Sequence, residues 1–191
     1  MKKDIILAGV GGQGILTIAA VIGLAAIEQK LYVKQSEVHG MSQRGGAVLS
    51  HLRISGNEIY SDLIPEGTAD IILSLEPMEA LRYLPFLKPD GWLITNSTPF
   101  INIPDYPGTR ELLNAINSLP NSIIVDANEI AKSIKAPKSS NIVMVGSASP
   151  YLGISDQNIE KAITNLFYKK GEQTVKSNIT AFYAGKEKVA L

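Results

Sequence analysis

The sequence predicts an α/β layered fold with a mostly parallel sheet, an inserted β-hairpin and a helical C-terminal part. Three observations carry that prediction. An apolar, strand-like run, Asp4-Ile5-Ile6-Leu7-Ala8, passes straight into the glycine-rich turn Gly9-Val10-Gly11-Gly12-Gln13-Gly14 and then into a long apolar helix. Short apolar runs at 71–75, 92–95 and 122–126 alternate with helix-length segments, the pattern of a sheet covered by helices. From 128 onward the helical period dominates.

The elements follow in order. The helix over 13–29 is apolar nearly all round (Ile15, Leu16, Ile18, Val21, Ile22, Leu24, Ile27), which predicts burial on more than one side. A second strand is expected over 31–35. Residues 36–46 have no apolar periodicity and end in Gly45-Gly46, so they read as a loop. An extended run over 47–54, a turn at Ser55-Gly56-Asn57 and a short strand over 58–60 form the expected hairpin. A buried strand at 71–75 leads to a helix over 78–87, closed by Lys88-Pro89-Asp90-Gly91. A strand at 92–95, a Pro-rich connection (Pro99, Pro104, Pro107), a helix over 109–119 and a strand at 122–126 continue the alternation. Helices are then expected at 128–134, 141–147, 156–169 (capped by Ser155 and stopped near Gly171) and 172–186. The whole chain, 1–191, reads as a single domain with no internal repeat.

The spacing Gly9-x-Gly11-x-x-Gly14, between a strand and a helix, is the fingerprint of a Rossmann-like unit. In that reading Gly9 permits a tight turn, Gly11 lets the backbone approach a phosphate, and Gly14 lets the helix pack on the strand. Gly12 and Gln13 complete the turn, and the N–H groups of the helix start favour an anion. The alternative is that these glycines only pack helix against strand. A nicotinamide cofactor calls for a carboxylate at the tip of the second strand. Here that tip is Gln35-Ser36; Glu37 overshoots it and Glu28 lies inside the first helix.

The segment Ser36-Glu37-Val38-His39-Gly40-Met41-Ser42-Gln43-Arg44-Gly45-Gly46 follows the second strand. It is therefore expected at the carboxyl edge of the sheet, beside the first glycine turn, where open α/β sheets bind ligands. Ser42, Gln43 and Arg44 are candidate contacts; the guanidinium suits phosphate or carboxylate, and Gly45 and Gly46 offer N–H groups or a close approach. The same residues could form a solvated loop with Arg44 in an internal ion pair. His39 titrates near neutrality and could serve as an acid–base group, or simply hydrogen-bond in the loop. His51 reads as a sheet-face residue. Asn96-Ser97-Thr98 lies at another carboxyl-edge position and either contacts a ligand or caps the turn before Pro99.

Composition narrows the function. Eighteen Lys and Arg balance eighteen Asp and Glu, so nothing points to nucleic acid or an anionic membrane as partner. The absence of cysteine excludes disulfides, thiolate nucleophiles and self-ligated iron–sulfur clusters, and two histidines leave little for a metal site. The uncharged stretch from 5 to 27 is long enough to suggest a signal peptide or a span. Its clustered glycines at 9, 11, 12 and 14 fit a turn instead, and the chain is expected to be cytoplasmic. No GxxxxGK[ST] loop, no G-x-S-x-G elbow and no thiamine-type Gly-Asp-Gly stretch with a later Asn pair occurs.

The glycine turn, the 36–46 segment and the strand to Arg53 together resemble the gamma-type subunit of 2-oxoacid:ferredoxin oxidoreductases. The wording of 36–46 is most similar to the small (beta) subunit of indolepyruvate ferredoxin oxidoreductase. Leu87-Lys88-Pro89-Asp90-Gly91 is similar to that family's turn before a strand, and Asn178, Ala181-Phe182 and Gly185 to its final helix. The resemblance implies one subunit of an enzyme that oxidatively decarboxylates a 2-oxoacid such as an aryl pyruvate, transfers the acyl group to coenzyme A and reduces ferredoxin. It further implies that thiamine diphosphate, magnesium and the iron–sulfur clusters sit on a large partner subunit. This chain would carry no cofactor or catalytic residue of its own and would be inactive alone. The competing readings are a free-standing nicotinamide- or flavin-binding protein and a non-catalytic binding module.

Overall fold

Alternating side chains in the first strand divide the molecule into layers. A computed structural model describes residues 1–39 and 45–189, the side chain of His39 excepted. In β1 (Lys2–Val10) Ile5 and Leu7 point into one apolar cluster and Ile6 into another on the opposite face. The other strands are β2 (Tyr32–His39), β3 (Ala47–Ser55), β4 (Ala69–Ser74), β5 (Leu87–Asn96) and β6 (Ser122–Val125), in spatial order β2-β3-β1-β4-β5-β6. Neighbours β1, β4, β5 and β6 run parallel, with Ile5 beside Ile71 and Leu73 beside Ile94. β3 is antiparallel to both β1 and β2, so β2 runs in the direction of β1.

One face carries α2 (Pro77–Arg82) and α3 (Thr109–Asn117), which bury Ala80 and Ile116 against Ile6, Ile72 and Leu93. The other face carries α1 (Ile15–Glu28), α4 (Ala127–Ser133), α5 (Ser140–Leu152), α6 (Asp156–Phe167) and α7 (Glu172–Glu187). In α5 every residue from Ile142 to Ser149 is buried, because the helix lies between other elements and α7 covers it. Two glycines make that cover possible. A Cβ built on Gly146 would stand 1.9 Å from the Phe182 carbonyl oxygen, and one on Gly185 would stand 1.9 Å from that of Val143. The two helix backbones touch there, and the Ser147 hydroxyl donates to the Gly185 carbonyl at 3.1 Å. Among the described residues no helix is long and apolar enough to cross a membrane.

Four expectations change. The hairpin exists, but its arms are β2 and β3 (Tyr32 opposite Ser55, His39 opposite Val48), and 58–60 forms no strand. Both edges of β3 are already paired, with β1 and with β2, so none is left for 58–60. The chain just beyond is held by β3 side chains instead: Arg53 donates to the carbonyls of Ser61 and Leu63 at 3.1 and 2.9 Å, and the Ile64 N–H donates to His51 Nδ1 at 3.1 Å. Residues 36–39, read as loop, belong to β2. The 87–91 segment, read as a turn, is the first half of β5. It pairs Leu87 with Ala69, and the register shifts before Trp92 pairs with Ile71. Gly91 permits that irregularity, since a Cβ there would meet Leu87 Cδ1 at 2.6 Å and the Ala69 carbonyl at 3.0 Å. The helix expected over 78–87 accordingly stops at Arg82, followed by one 3-10 turn, Leu84–Phe86.

At the amino end of the sheet Asp4 is 1% exposed and takes a two-pronged contact from Arg53, 2.8 Å from Nε and 3.1 Å from Nη2.

Candidate functional site

β1 and β4 are neighbours whose outgoing connections lead to opposite faces, to α1 and to α2 respectively. A crevice opens at the carboxyl ends of such strands. Gln13 spans it: its Oε1 accepts the Val10 N–H at 2.8 Å and its Nε2 donates to the Leu75 carbonyl at 3.3 Å. Asn96, at the end of β5, continues the stitching. Its Nδ2 lies 3.4 Å from the same Leu75 carbonyl and its Oδ1 accepts the Ala127 N–H at the start of α4. Asn96 is therefore a brace between strand ends and a helix start.

The glycines divide their work differently from the fingerprint. Gly9 supplies the close helix–strand packing, because a Cβ there would fall 2.8 Å from both Gln13 Oε1 and Ile15 Cδ1. Gly14 caps α1 at φ 93, where a Cβ would meet Asn141 Nδ2 at 2.5 Å. Gly11 is tied on both sides: its N–H donates to the Gly46 carbonyl at 2.8 Å and its carbonyl accepts the Gly45 N–H at 3.3 Å. Gly12, at φ 101, has no atom within 4 Å of where a Cβ would project, and is the open member of the turn. The two glycine segments singled out in the sequence, 9–14 and 45–46, are thus hydrogen-bonded neighbours at one sheet edge. Ser42, Gln43 and Arg44 lie outside the described residues. His39 ends β2, and its side chain lies outside the described residues too.

A third segment, 97–108, closes the site. Asn102 Nδ2 donates to the Gly45 carbonyl at 2.6 Å. Its anchor is Glu76, just past β4 and 0% exposed. The Glu76 carboxylate accepts the Glu79 N–H at 2.8 Å, capping α2 ahead of Pro77, and also accepts the Phe100 N–H at 3.4 Å and the Tyr106 hydroxyl. Burial, then the bond to Glu76, drives the Tyr106 hydroxyl far above its ordinary pKa, so it stays a donor. Burial raises the Glu79 pKa as well, against the opposing pull of Arg82, whose Nε lies 3.0 Å away. Residues Phe100, Ile101 and Ile103 of this segment are exposed, Ile101 at 70%.

The result is a cleft of about 510 Å³ lined by Gly12, Gln13, Leu75, Asn96, Thr98, Phe100, Lys132 and Lys138 among others. It combines a glycine backbone, amides, an aromatic ring and two ammonium groups, a set suited to an anionic, partly apolar ligand. Sequence reasoning found its floor and missed Glu76, Tyr106, Lys132 and Lys138. Glu76-Pro77 ahead of a short helix was the available signal for the first; the lysines carry none. The topology also bears on the nicotinamide reading. β3 stands between β1 and β2, which removes the tip of β2 from the glycine turn by two strand spacings, about 10 Å.

The donor set matters for metals. The chain has no cysteine, and among the described residues no three His, Asp or Glu side chains cluster to hold an ion. Without a thiolate the chain cannot ligate an iron–sulfur cluster through cysteine.

Comparison with known proteins places this geometry. The pyruvate ferredoxin/flavodoxin oxidoreductase family matches residues 4–188. An indolepyruvate oxidoreductase subunit IorB from Pyrococcus horikoshii is 37% identical over 174 residues, 85% of this chain and 86% of that protein. Its counterpart from Thermococcus kodakarensis is 36% identical over 97% of this chain and 95% of its own length. Among solved structures, the 2-oxoglutarate:ferredoxin oxidoreductase from Magnetococcus marinus, with 2-oxoglutarate, coenzyme A and succinyl-CoA bound, superposes with a TM-score of 0.78 at 22% identity. The match covers 98% of this chain and 31% of that one, and it shows the fold.

Proposed function

The chain belongs to the pyruvate ferredoxin/flavodoxin oxidoreductase family, and from that premise we propose that it is the small subunit of an indolepyruvate, or aryl-pyruvate, ferredoxin oxidoreductase. The observation that carries the substrate class is its identity of more than a third with indolepyruvate oxidoreductase subunits along most of their length. The complex would decarboxylate the 2-oxoacid, join the acyl group to coenzyme A and pass the released electrons to ferredoxin.

The division of labour is the one the family resemblance implies: iron–sulfur clusters, thiamine diphosphate and magnesium would sit on a large partner subunit, and the lack of cysteine in this chain supports that reading for the clusters. Thiamine diphosphate would supply the carbanion-stabilising chemistry there. This chain contributes binding and shape. Lys132 and Lys138 would face the anionic part of coenzyme A across the open backbone of Gly12, while Phe100 offers an apolar wall. Gly45 and Gly46 hold the turn from the other side. Arg44, with Ser42 and Gln43, directly precedes them in sequence, and its guanidinium would pair with phosphate or anchor the large subunit.

Co-expression with a large, cysteine-rich partner subunit tests the reading. The two chains are expected to co-purify as a brown complex that reduces ferredoxin with indolepyruvate and coenzyme A, while the isolated chain is colourless and inactive. Turnover by the isolated chain, or a complex that forms but ignores every aryl pyruvate, would overturn it.

A further inference from the structure

A second and larger cavity, of about 620 Å³, lies on the other side of the 137–138 turn from the cleft, and Pro137 and Lys138 line both. Three cations border it: Lys135, Lys138 and Lys170. Among the described residues no carboxylate lines it. In a chain with equal numbers of acidic and basic residues, three lysines around one hollow with no acid is a local imbalance. The ion pairs found elsewhere use Lys2, Arg53, Arg82, Lys88, Lys161 and Lys186; none of the three cavity lysines forms one among the described residues. Lys170 is held at the wall, 5.2 Å from the centre of the Phe167 ring. Lys135 stands at φ 58, a left-handed conformation that costs a lysine about 1–2 kcal/mol relative to ordinary backbone.

The polar lining points the same way. Ser139 is 5% exposed and borders the cavity, yet its hydroxyl makes no hydrogen bond to any described residue. The hydroxyl oxygen itself keeps access to the hollow, so it is free to bond to what enters there. Three long helices also begin here, with Thr17 in the first turn of α1, Asn141 in that of α5 and Thr174 in that of α7. Their dipoles add to the positive potential of the lysines.

We propose that this cavity binds the phosphate-bearing end of a nucleotide-type small molecule. Its volume suits a small molecule rather than a bare ion. The lysine ammonium groups would hold the phosphate oxygens, the Ser139 hydroxyl would donate to one of them, and Phe167 would give the ligand an apolar wall. The site adjoins the glycine-turn cleft at Pro137 and Lys138 but is otherwise lined by different residues, and it does not depend on the subunit assignment. A free nucleotide and the nucleotide end of coenzyme A both carry the required chemistry.

The test is calorimetric titration of the purified full chain with ADP, coenzyme A and inorganic phosphate. The variants are Lys135→Gln with Lys170→Gln (neither lines the cleft), Ser139→Ala, and Lys161→Gln as a remote control. Saturable binding of ADP or coenzyme A is expected, weakened by at least about tenfold in the double lysine variant and unchanged in the control. Ser139→Ala should weaken it by about threefold or more while the thermal midpoint is retained. Tighter binding of coenzyme A than of ADP would identify the source as coenzyme A, and equal binding a free nucleotide. Absence of saturation by either compound at millimolar concentration, or equal affinity in wild type and the double variant, would overturn the proposal.

Discussion

Replacing Glu76 by Gln exchanges one oxygen for an NH₂ group and probes the anchor of the whole carboxyl-edge site. The wild-type carboxylate receives three donors: the Glu79 N–H, the Phe100 N–H and the Tyr106 hydroxyl. An amide offers one acceptor oxygen and one donor nitrogen. With the nitrogen toward α2 it would face the Glu79 N–H at 2.8 Å, donor against donor. With the nitrogen the other way, the Tyr106 hydroxyl can rotate to accept, and the loss falls on the longer Phe100 contact. The second arrangement is the cheaper, and it still exchanges a charge-assisted bond for a neutral one in a site with no exposure. The expected cost is about 2–3 kcal/mol. For a chain of this length that lowers the thermal midpoint by about 4–12 °C. Urea unfolding can be followed through the fluorescence of Trp92, the single tryptophan, whose ring centre lies 4.4 Å from that of Tyr151. Tyr106→Phe and the double variant complete a cycle, with a coupling of about 1 kcal/mol or more between the two positions. A Glu76→Gln protein within about 0.5 kcal/mol of wild type, or a coupling near zero, would refute the anchoring argument.

Four further outcomes are expected. Gly146→Ala and Gly185→Ala should each fail to give folded, soluble protein, since the new methyl would sit 1.9 Å from a backbone oxygen; a cooperative thermal transition near that of wild type would contradict this. Asp4→Asn strands the partly buried Arg53 guanidinium beside a buried amide and should cost about 3 kcal/mol in urea denaturation. His51 has its pKa lowered, chiefly by burial against the opposing pull of Asp62, with Arg53 adding to the lowering. Its contribution to stability is therefore complete above about pH 6.5 and lost as the pH falls through the folded value, so His51→Gln should flatten that part of the stability profile relative to wild type. Gly12→Ala meets no neighbouring atom but forces φ 101 on a residue with a Cβ, and places a methyl in the cleft. About 1–2 kcal/mol of stability should be lost, and in the assembled complex the apparent Michaelis constant for coenzyme A should rise while subunit assembly persists.

The layered α/β class, every helix and the central part of each strand could be placed from local pattern. Residues 71–75 read as a buried strand because they are almost wholly apolar. What escaped was non-local. Residues 36–39 mix charge and polarity because β2 is an edge strand, so no alternation marks them. Residues 87–91 contain Pro89, Asp90 and Gly91, the vocabulary of a turn, yet pair with β4 through an irregular register. The partners of β3 could not be chosen locally either, since it lies between β2 and β1, the latter some forty residues earlier in the chain. In the site, the glycine segments were legible because a strand–turn–helix transition dictates where they go. Glu76 and Tyr106 are thirty residues apart and meet only once the 97–108 connection folds over the sheet edge.

The contact between α5 and α7 has a consequence for how this protein is made. α5 lies in the middle of the molecule, and the backbone of Val143 is sealed only when Gly185 settles on it. Ribosomes deliver chain at about 5–20 residues per second, so α5 waits for α7 with its outer surface bare. A nascent chain halted before residue 185 would display the apolar side chains of 142–148 to chaperones and to other unfinished chains. Truncations that reach Phe182 should therefore partition into inclusion bodies.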